Sequence, residues 1–144
     1  MIRFEESVVI ERPLQEVFAF VSDPGNDVDW AEEIAEVRQT SEGQLGVGAS
    51  FVQVAHFLGR RLEVPFEVTE YEPNRKVAIT PTRGPIRLAA RRSLEPVGAG
   101  ARVTIEAWGR SGLFLSLLEP VVAVVAKRRL RIALARLKRV LEAR

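Results

Sequence analysis

Short segments in which apolar and polar residues alternate, joined by tight turns, fill the middle of this 144-residue chain. The clearest spans residues 62–69, where Leu, Val, Phe and Val alternate with Glu, Pro, Glu and Thr. A period of two predicts strands with one buried face and one wet face. Because successive strands are joined by short loops, we expect their sheet to be an antiparallel meander.

A long amphipathic helix is predicted to follow Ser111 and Gly112 and to run to the end of the chain. Its apolar stripe is formed by Leu130, Leu134, Leu137 and Leu141. The side chains expected to stay largely wet are Arg128, Arg131, Arg136, Lys138 and Arg139. Pro120 interrupts the helix and predicts a kink, because proline removes an i−4 hydrogen bond.

The remaining elements complete an α+β order. Residues 2–11 predict the first strand, Arg12 and Pro13 begin a short helix, and residues 26–31 form a second short helix or turn that carries Trp30. We therefore predict a curved antiparallel sheet of six to seven strands wrapped around the long C-terminal helix, with two short helices after the first strand. Residues 1–144 are expected to form a single domain.

Composition excludes several classes of site. The chain has no cysteine, which excludes disulfides, thiolate metal sites and a cysteine nucleophile. A single histidine excludes a histidine-based triad and a multi-histidine metal site. We expect neither a metal nor a cofactor. The longest apolar run, near residues 121–126, is too short to span a bilayer, and no signal peptide is evident, so a cytoplasmic protein is expected.

Charge is distributed unevenly along the chain. Residues 1–58 hold three basic and eleven acidic side chains, a balance of −8, whereas residues 127–144 hold eight basic side chains and one acidic, a balance of +7. The basic end is either a docking surface for an anionic membrane or partner, or the wet face of a helix whose dipole it complements. The absence of interleaved aromatic residues argues against nucleic acid as a partner.

Several turn and core segments together point to a known family. They are residues 10–18 (IERPLQEVF), Asp23, Trp30, residues 46–51 (GVGASF), residues 57–61 (FLGRR) and residues 68–75 (VTEYEPNR). With these, essentially the whole chain resembles the SRPBCC superfamily (START, polyketide cyclase/dehydrase and Bet v 1-like proteins), in particular its small bacterial members. The resemblance implies a helix-grip fold whose sheet–helix cavity takes lipids, sterols, polyketides or aromatic hormones. Some such proteins are enzymes.

The leading hypothesis is therefore a protein that binds a small hydrophobic molecule of lipid, polyketide or aromatic type between sheet and helix. The residues expected to line the cavity are Trp30, Phe51, Phe66, Val68, Leu88, Trp108, Leu117 and Val121. Binding would be driven by burial of ligand surface, worth roughly 25 cal/mol per Å² before entropic costs. Both a monomer and a homodimer are compatible with the sequence.

Two other functions stay open. In a cyclase or dehydratase, His56, Glu106 or Arg92 would move protons, and at least two of them would have to face one cavity. His56 lies in a strand whose two faces are equally apolar, and Glu106 is either buried with a raised pKa or solvated on the outer face. Arg92 has the parity of its apolar neighbours and is expected to reach inward. In an interaction module, the basic C-terminal helix would dock peripherally on an anionic membrane or partner, without stable insertion.

Overall fold

The computed structural model describes residues 2–57, 59–84, 87–110 and 118–144. Within these ranges the chain forms, in order, β1 (Ile2–Ile10), α1 (Leu14–Val21), a 3₁₀ helix (Pro24–Asp29), β2 (Ile34–Gln39), β3 (Ser50–Phe57), β4 (Arg60–Glu72), β5 (Lys76–Pro81), β6 (Arg87–Val97), β7 (Gly100–Arg110) and α2 (Glu119–Glu142).

The strands form one antiparallel sheet in the order β1-β7-β6-β5-β4-β3-β2. Strands β2 to β7 form the predicted meander, and β1 joins its end by pairing with β7 from Ile2 opposite Gly109 to Ile10 opposite Ala101. The predicted fold is confirmed: a curved antiparallel sheet of seven described strands, two short helices after the first strand, and a long C-terminal helix.

The main core lies between the C-terminal half of α2, helix α1 and the inner face of the sheet. Three leucines of the predicted stripe are buried on α2, and Leu130 packs against them. Their partners include Val17 and Phe18 of α1 and Val103 and Ile105 of β7. Burial of this stripe against α1 and the sheet holds the helix in place, which is the usual source of helical stability in proteins.

A second apolar cluster fills the inner side of strands β3 to β5. Phe51 and Phe66 face each other across β3 and β4 with their ring centroids 5.5 Å apart, and Val68 and Val77 are buried beside them. Tyr71 packs against both clusters and so connects them across the inner face of the sheet.

Helix α2 does not carry the predicted kink. Pro120 lies in its first turn, directly after Leu118 and Glu119. The backbone N–H groups of the first turn have no partner within the helix, so a proline there removes no hydrogen bond. The prediction of a kink at Pro120 is therefore wrong for the described helix, and the predicted helical residues 111–117 lie outside the described ranges.

At Gly109 the backbones of β6 and β7 leave no room for a side chain. Its φ of +150° is unusual for other residues, and a Cβ atom there would overlap the backbone carbonyl of Arg87 on the neighbouring strand. Gly109→Ala should lower the free energy of unfolding by about 3 kcal/mol, because backbone atoms have no room to yield. Urea unfolding followed by circular dichroism measures the change. Gly46→Ala is the control, since a Cβ at Gly46 meets nothing within 4 Å; equal stabilities of the two variants would contradict the prediction.

Candidate functional site

A cleft of about 700 Å³ opens between helix α2 and the segment that leads into β2. Trp30 lies at its base and is only 3% exposed. Glu32 and Glu33, just before β2, and His56, near the end of β3, border the cleft on the sheet side. The helix side is formed by the apolar Val124, Val125, Ile132 and Ala133 and by the basic Arg128, Arg129 and Arg136. The cleft therefore has an acidic wall and a wall that is both apolar and basic.

Helix α2 uses different sides for the core and for the cleft. Val125, Arg129, Ile132 and Arg136 have the same helical spacing as the four buried or packed leucines, but the series starts five residues earlier. At 100° per residue this offset places the two stripes about 140° apart around the helix. Consequently the apolar residues of the cleft stripe are not buried in the core: Val125 is 36% exposed and Ile132 is 54% exposed. Val124, which also lines the cleft, is 69% exposed.

Trp30 is positioned by the 3₁₀ helix before it. Asp23 accepts a hydrogen bond from the backbone N–H of Gly25, Pro24 occupies the first turn, and the N–H of Trp30 bonds the carbonyl of Asp27 at 3.2 Å. The sequence itself favours a helix beginning here, because aspartate is a preferred N-cap residue and proline is well tolerated at the first helical position. The indole N–H of Trp30 is the one buried side-chain polar atom in the described ranges that lacks a hydrogen-bond partner.

A buried ion pair fixes this segment to the sheet. Both terminal nitrogens of the Arg92 guanidinium donate to Asp27, at 2.8 and 2.6 Å, and one also donates to the carbonyl of Val21 at 2.8 Å. The same guanidinium lies 5.1 Å from the centroid of the Trp30 ring. Burial raises the pKa of the Asp27 carboxyl above its ordinary value, and the Arg92 guanidinium opposes that effect. Because a guanidinium does not release its proton, Arg92 here acts as a fixed cation.

Glu106 and Trp108 project from the face of β7 that is opposite to the core. The alternate residues Val103, Ile105 and Ala107 are buried, and side chains alternate between the two faces of a strand. Glu106 and Trp108 are therefore separated from the cleft by the sheet itself.

On that outer face Arg91 organises a network of charges. It donates to Glu70 at 2.8 and 3.1 Å and to Glu106 at 2.6 Å, and it lies 5.0 Å from the centroid of the Trp108 ring. Arg3 also donates to Glu106, at 3.1 Å. Hydrogen bonds from Arg91 and Lys76 lower the pKa of Glu70 from 4.5 to about 2. Contacts of this kind stabilise the sheet and already occupy the polar groups that a ligand would need.

The other predicted lining residues are distributed over the molecule. Phe51, Phe66 and Val68 belong to the second apolar cluster and are not part of the cleft wall. Leu88 is half-buried on β6, and Val121, which is 61% exposed, lies one turn before Val124 and Val125. Leu117 lies outside the described residues. Of the predicted ligand residues, Trp30 alone is among those that line the cleft in the described part of the chain.

The three candidate proton-transfer residues do not meet in one cavity. His56 is exposed at the rim of the cleft, with its backbone N–H bonded to the carbonyl of Glu33 at 2.7 Å. Arg92 lies beneath Trp30 and is committed to Asp27, whereas Glu106 is on the far side of the sheet. In the described ranges no three acidic or histidine side chains are close enough to hold a metal ion.

The sequence contains a signal for the helix wall of the cleft that the predictions did not use. Val124, Val125 and Ile132 do not fit the leucine stripe, although they are apolar. A second apolar stripe on one helix indicates a second surface to be covered. The sheet-side residues Glu32 and Glu33 carry no such signal, because only the tertiary fold brings them opposite α2.

Removal of one partner of the buried Asp27–Arg92 ion pair should lower the stability of the protein. Arg92→Met leaves the Asp27 carboxylate buried without its partner, and we expect the free energy of unfolding to fall by about 3–5 kcal/mol. The double variant Asp27→Leu/Arg92→Met removes both charges and should be more stable than the single variant. Urea unfolding of the three proteins tests this. Losses that simply add, with the double variant the least stable, would contradict it.

Glu70 should contribute to stability at neutral pH and not in strong acid. Since its folded pKa of about 2 lies below the unfolded value of 4.5, its contribution is present above pH 4.5 and is lost as the pH falls toward 2. The stability difference between Glu70→Gln and the wild-type protein should therefore shrink between about pH 5 and about pH 3. Urea midpoints across this range measure it, with the exposed Glu67→Gln on the same strand as control. A difference that stays constant in acid would rule this contribution out.

Comparison with known proteins agrees with this architecture. Comparison with functionally curated proteins gave no significant sequence match. The structure is similar to TTHA0849 from Thermus thermophilus, at 19% identity and a TM-score of 0.81, with 98% of each chain covered. It is similar to the Zhui aromatase/cyclase from Streptomyces sp. R1128, at 15% identity and a TM-score of 0.76, with 94% of this chain and 90% of that chain covered.

A further similarity is to BexL, a di-domain ARO/CYC from the BE-7585A biosynthetic pathway. The identity is 18% and the TM-score 0.79, with 99% of this chain matching 47% of that one. At these identities the similarities establish the helix-grip fold. The sequence model of the family described as "Polyketide cyclase / dehydrase and lipid transport" matches residues 1–142. The chain therefore belongs to this polyketide cyclase/dehydrase and lipid transport family of the SRPBCC superfamily.

Proposed function

We propose that this protein binds a small hydrophobic molecule, of lipid, polyketide or aromatic type, in the cleft beside α2. The observation that carries the proposal is the exposed apolar stripe of α2, which faces a cleft with Trp30 at its base. Val124, Val125 and Ile132 leave apolar surface in water that a ligand would cover. A cleft of about 700 Å³ also falls within the range typical of small-molecule sites.

Burial of apolar surface supplies the driving force. Each 100 Å² of apolar surface that ligand and protein remove from water is worth roughly 2.5 kcal/mol before the entropic costs of association. On the protein side, Val124, Val125 and Ile132 of α2 supply the exposed apolar surface. Family membership supports the same proposal, because the family is described by cyclase, dehydrase and lipid transport functions.

A cyclase or dehydratase is the second candidate function, and one arrangement favours it. His56, Glu32 and Glu33 border the same cleft, and imidazole and carboxylate groups are the usual proton carriers of such reactions. Arg92 and Glu106 take no part in this version of the proposal. Turnover distinguishes the two functions: a carrier releases its ligand unchanged, whereas a cyclase releases a product.

A charge placed on the apolar part of the cleft wall should weaken binding. The neutral dye Nile red is expected to bind the wild-type protein saturably, with a rise in fluorescence as it leaves water. Ile132→Glu should weaken this binding at least about ten-fold, because it replaces exposed apolar surface of the cleft wall with a charged side chain that a bound apolar molecule would have to strip of water. Fluorescence titration measures the dissociation constant.

Val47→Glu is the matched control, since Val47 is 69% exposed and is not among the residues that line the cleft. The control variant should bind the dye as the wild-type protein does. Equal dye affinity of all three proteins, with unchanged unfolding curves, would overturn the proposed site.

A further inference from the structure

We infer that the molecule bound in the cleft is an amphiphile with an anionic headgroup, held by Arg128 and Arg136 while its apolar part covers Val125 and Ile132. This inference rests on the proposed function and specifies its ligand class. The headgroup is a carboxylate or a phosphate monoester, which share the chemistry that guanidinium groups recognise.

The ion pairs of α2 provide the first argument. On the side of the helix that faces β1, Lys127 and Arg131 approach the Glu6 carboxylate at 4.0 and 2.8 Å. On the side that faces the cleft, Arg128 and Arg136 form no ion pair with any residue of the described ranges, although they belong to the same helix. The protein thus pairs its basic residues on one side of α2 with a carboxylate and leaves Arg128 and Arg136 without an ion-pair partner beside a cavity.

The helical spacing of these residues provides the second argument. Arg128, Ile132 and Arg136 follow each other at intervals of four, so that the two guanidiniums flank an apolar side chain on one face. The guanidinium group of arginine offers only hydrogen-bond donors. A ligand that satisfies these groups must bring several acceptor atoms at one end and apolar surface elsewhere. An anionic amphiphile has this composition.

The acidic wall sets the orientation of such a ligand. Glu32 and Glu33 lie on the sheet side of the cleft, where they repel a negative headgroup toward α2. They also make a clear alternative testable: if the two carboxylates dominated recognition, a cationic amphiphile would be preferred.

The test compares probes of one chain length and different charge. Isothermal titration calorimetry would measure binding of decanoate, decyl phosphate, decan-1-ol and decyltrimethylammonium, each below its micelle concentration. We expect both anionic probes to bind about ten-fold more tightly than decan-1-ol, as charge-assisted hydrogen bonds allow, and the cationic probe to bind most weakly. The ratio of decyl phosphate to decanoate affinity distinguishes the two headgroups.

Two double variants with the same change in net charge locate the effect. Arg128→Gln/Arg136→Gln should remove the preference for the anionic probes, so that they bind no more tightly than decan-1-ol does to the same variant. Lys127→Gln/Arg131→Gln, on the β1 side of α2, should keep the anionic preference.

The outcomes separate this inference from the proposed function. Equal affinity for all four probes, a preference for the cationic probe, or equal losses in both double variants would overturn the anionic headgroup while cavity binding stands. Failure of all four probes to bind the wild-type protein would overturn both.

Discussion

The buried pair of Asp27 and Arg92 determines where the cleft lies. It joins the 3₁₀ helix to the inner side of β6, and its guanidinium supports the ring of Trp30 at the base of the cleft. Buried ion pairs are often no more stabilising than well-packed apolar residues, so stability alone does not account for it. Its role is to position the segment before β2. Two hydrogen bonds from Arg92 to Asp27 and a third to the carbonyl of Val21 hold this segment against β6.

Local patterns were sufficient to predict the elements and their order. The alternation in residues 62–69 and the leucine stripe from Leu130 to Leu141 each follow from neighbours in sequence, so the meander and the covering helix could be predicted. The face of β7 occupied by Trp108 could not, because its partner Arg91 comes from the neighbouring strand and shelters the ring on the outer side. A large aromatic residue looks like a cavity residue until its cross-strand neighbour is known.

The uneven charge of the sequence has an explanation in the tertiary structure. Helix α2 packs along β1, so the acidic beginning of the chain meets its basic end. Lys127 and Arg131 approach the Glu6 carboxylate, and the Lys138 ammonium donates a hydrogen bond to the backbone carbonyl of Val9 at 2.8 Å. Part of the basic charge of α2 therefore pairs with β1 and holds the two ends of the chain together. This role differs from both alternatives considered from the sequence, a docking surface and a complement to the helix dipole. Distance in sequence concealed this pairing from any local analysis.

The presence on α2 of a buried leucine stripe and of exposed apolar residues on another side has a thermodynamic consequence. In the structure, the apolar side chains of Val124 and Ile132 are in contact with water. A ligand that covered these side chains would bind the folded state and not the unfolded chain. It would therefore shift the folding equilibrium toward the folded state. Each ten-fold rise in ligand concentration above the dissociation constant then adds about 1.4 kcal/mol to the free energy of unfolding. Under the proposed function, the resistance of the protein to unfolding would therefore report the ligand concentration around it.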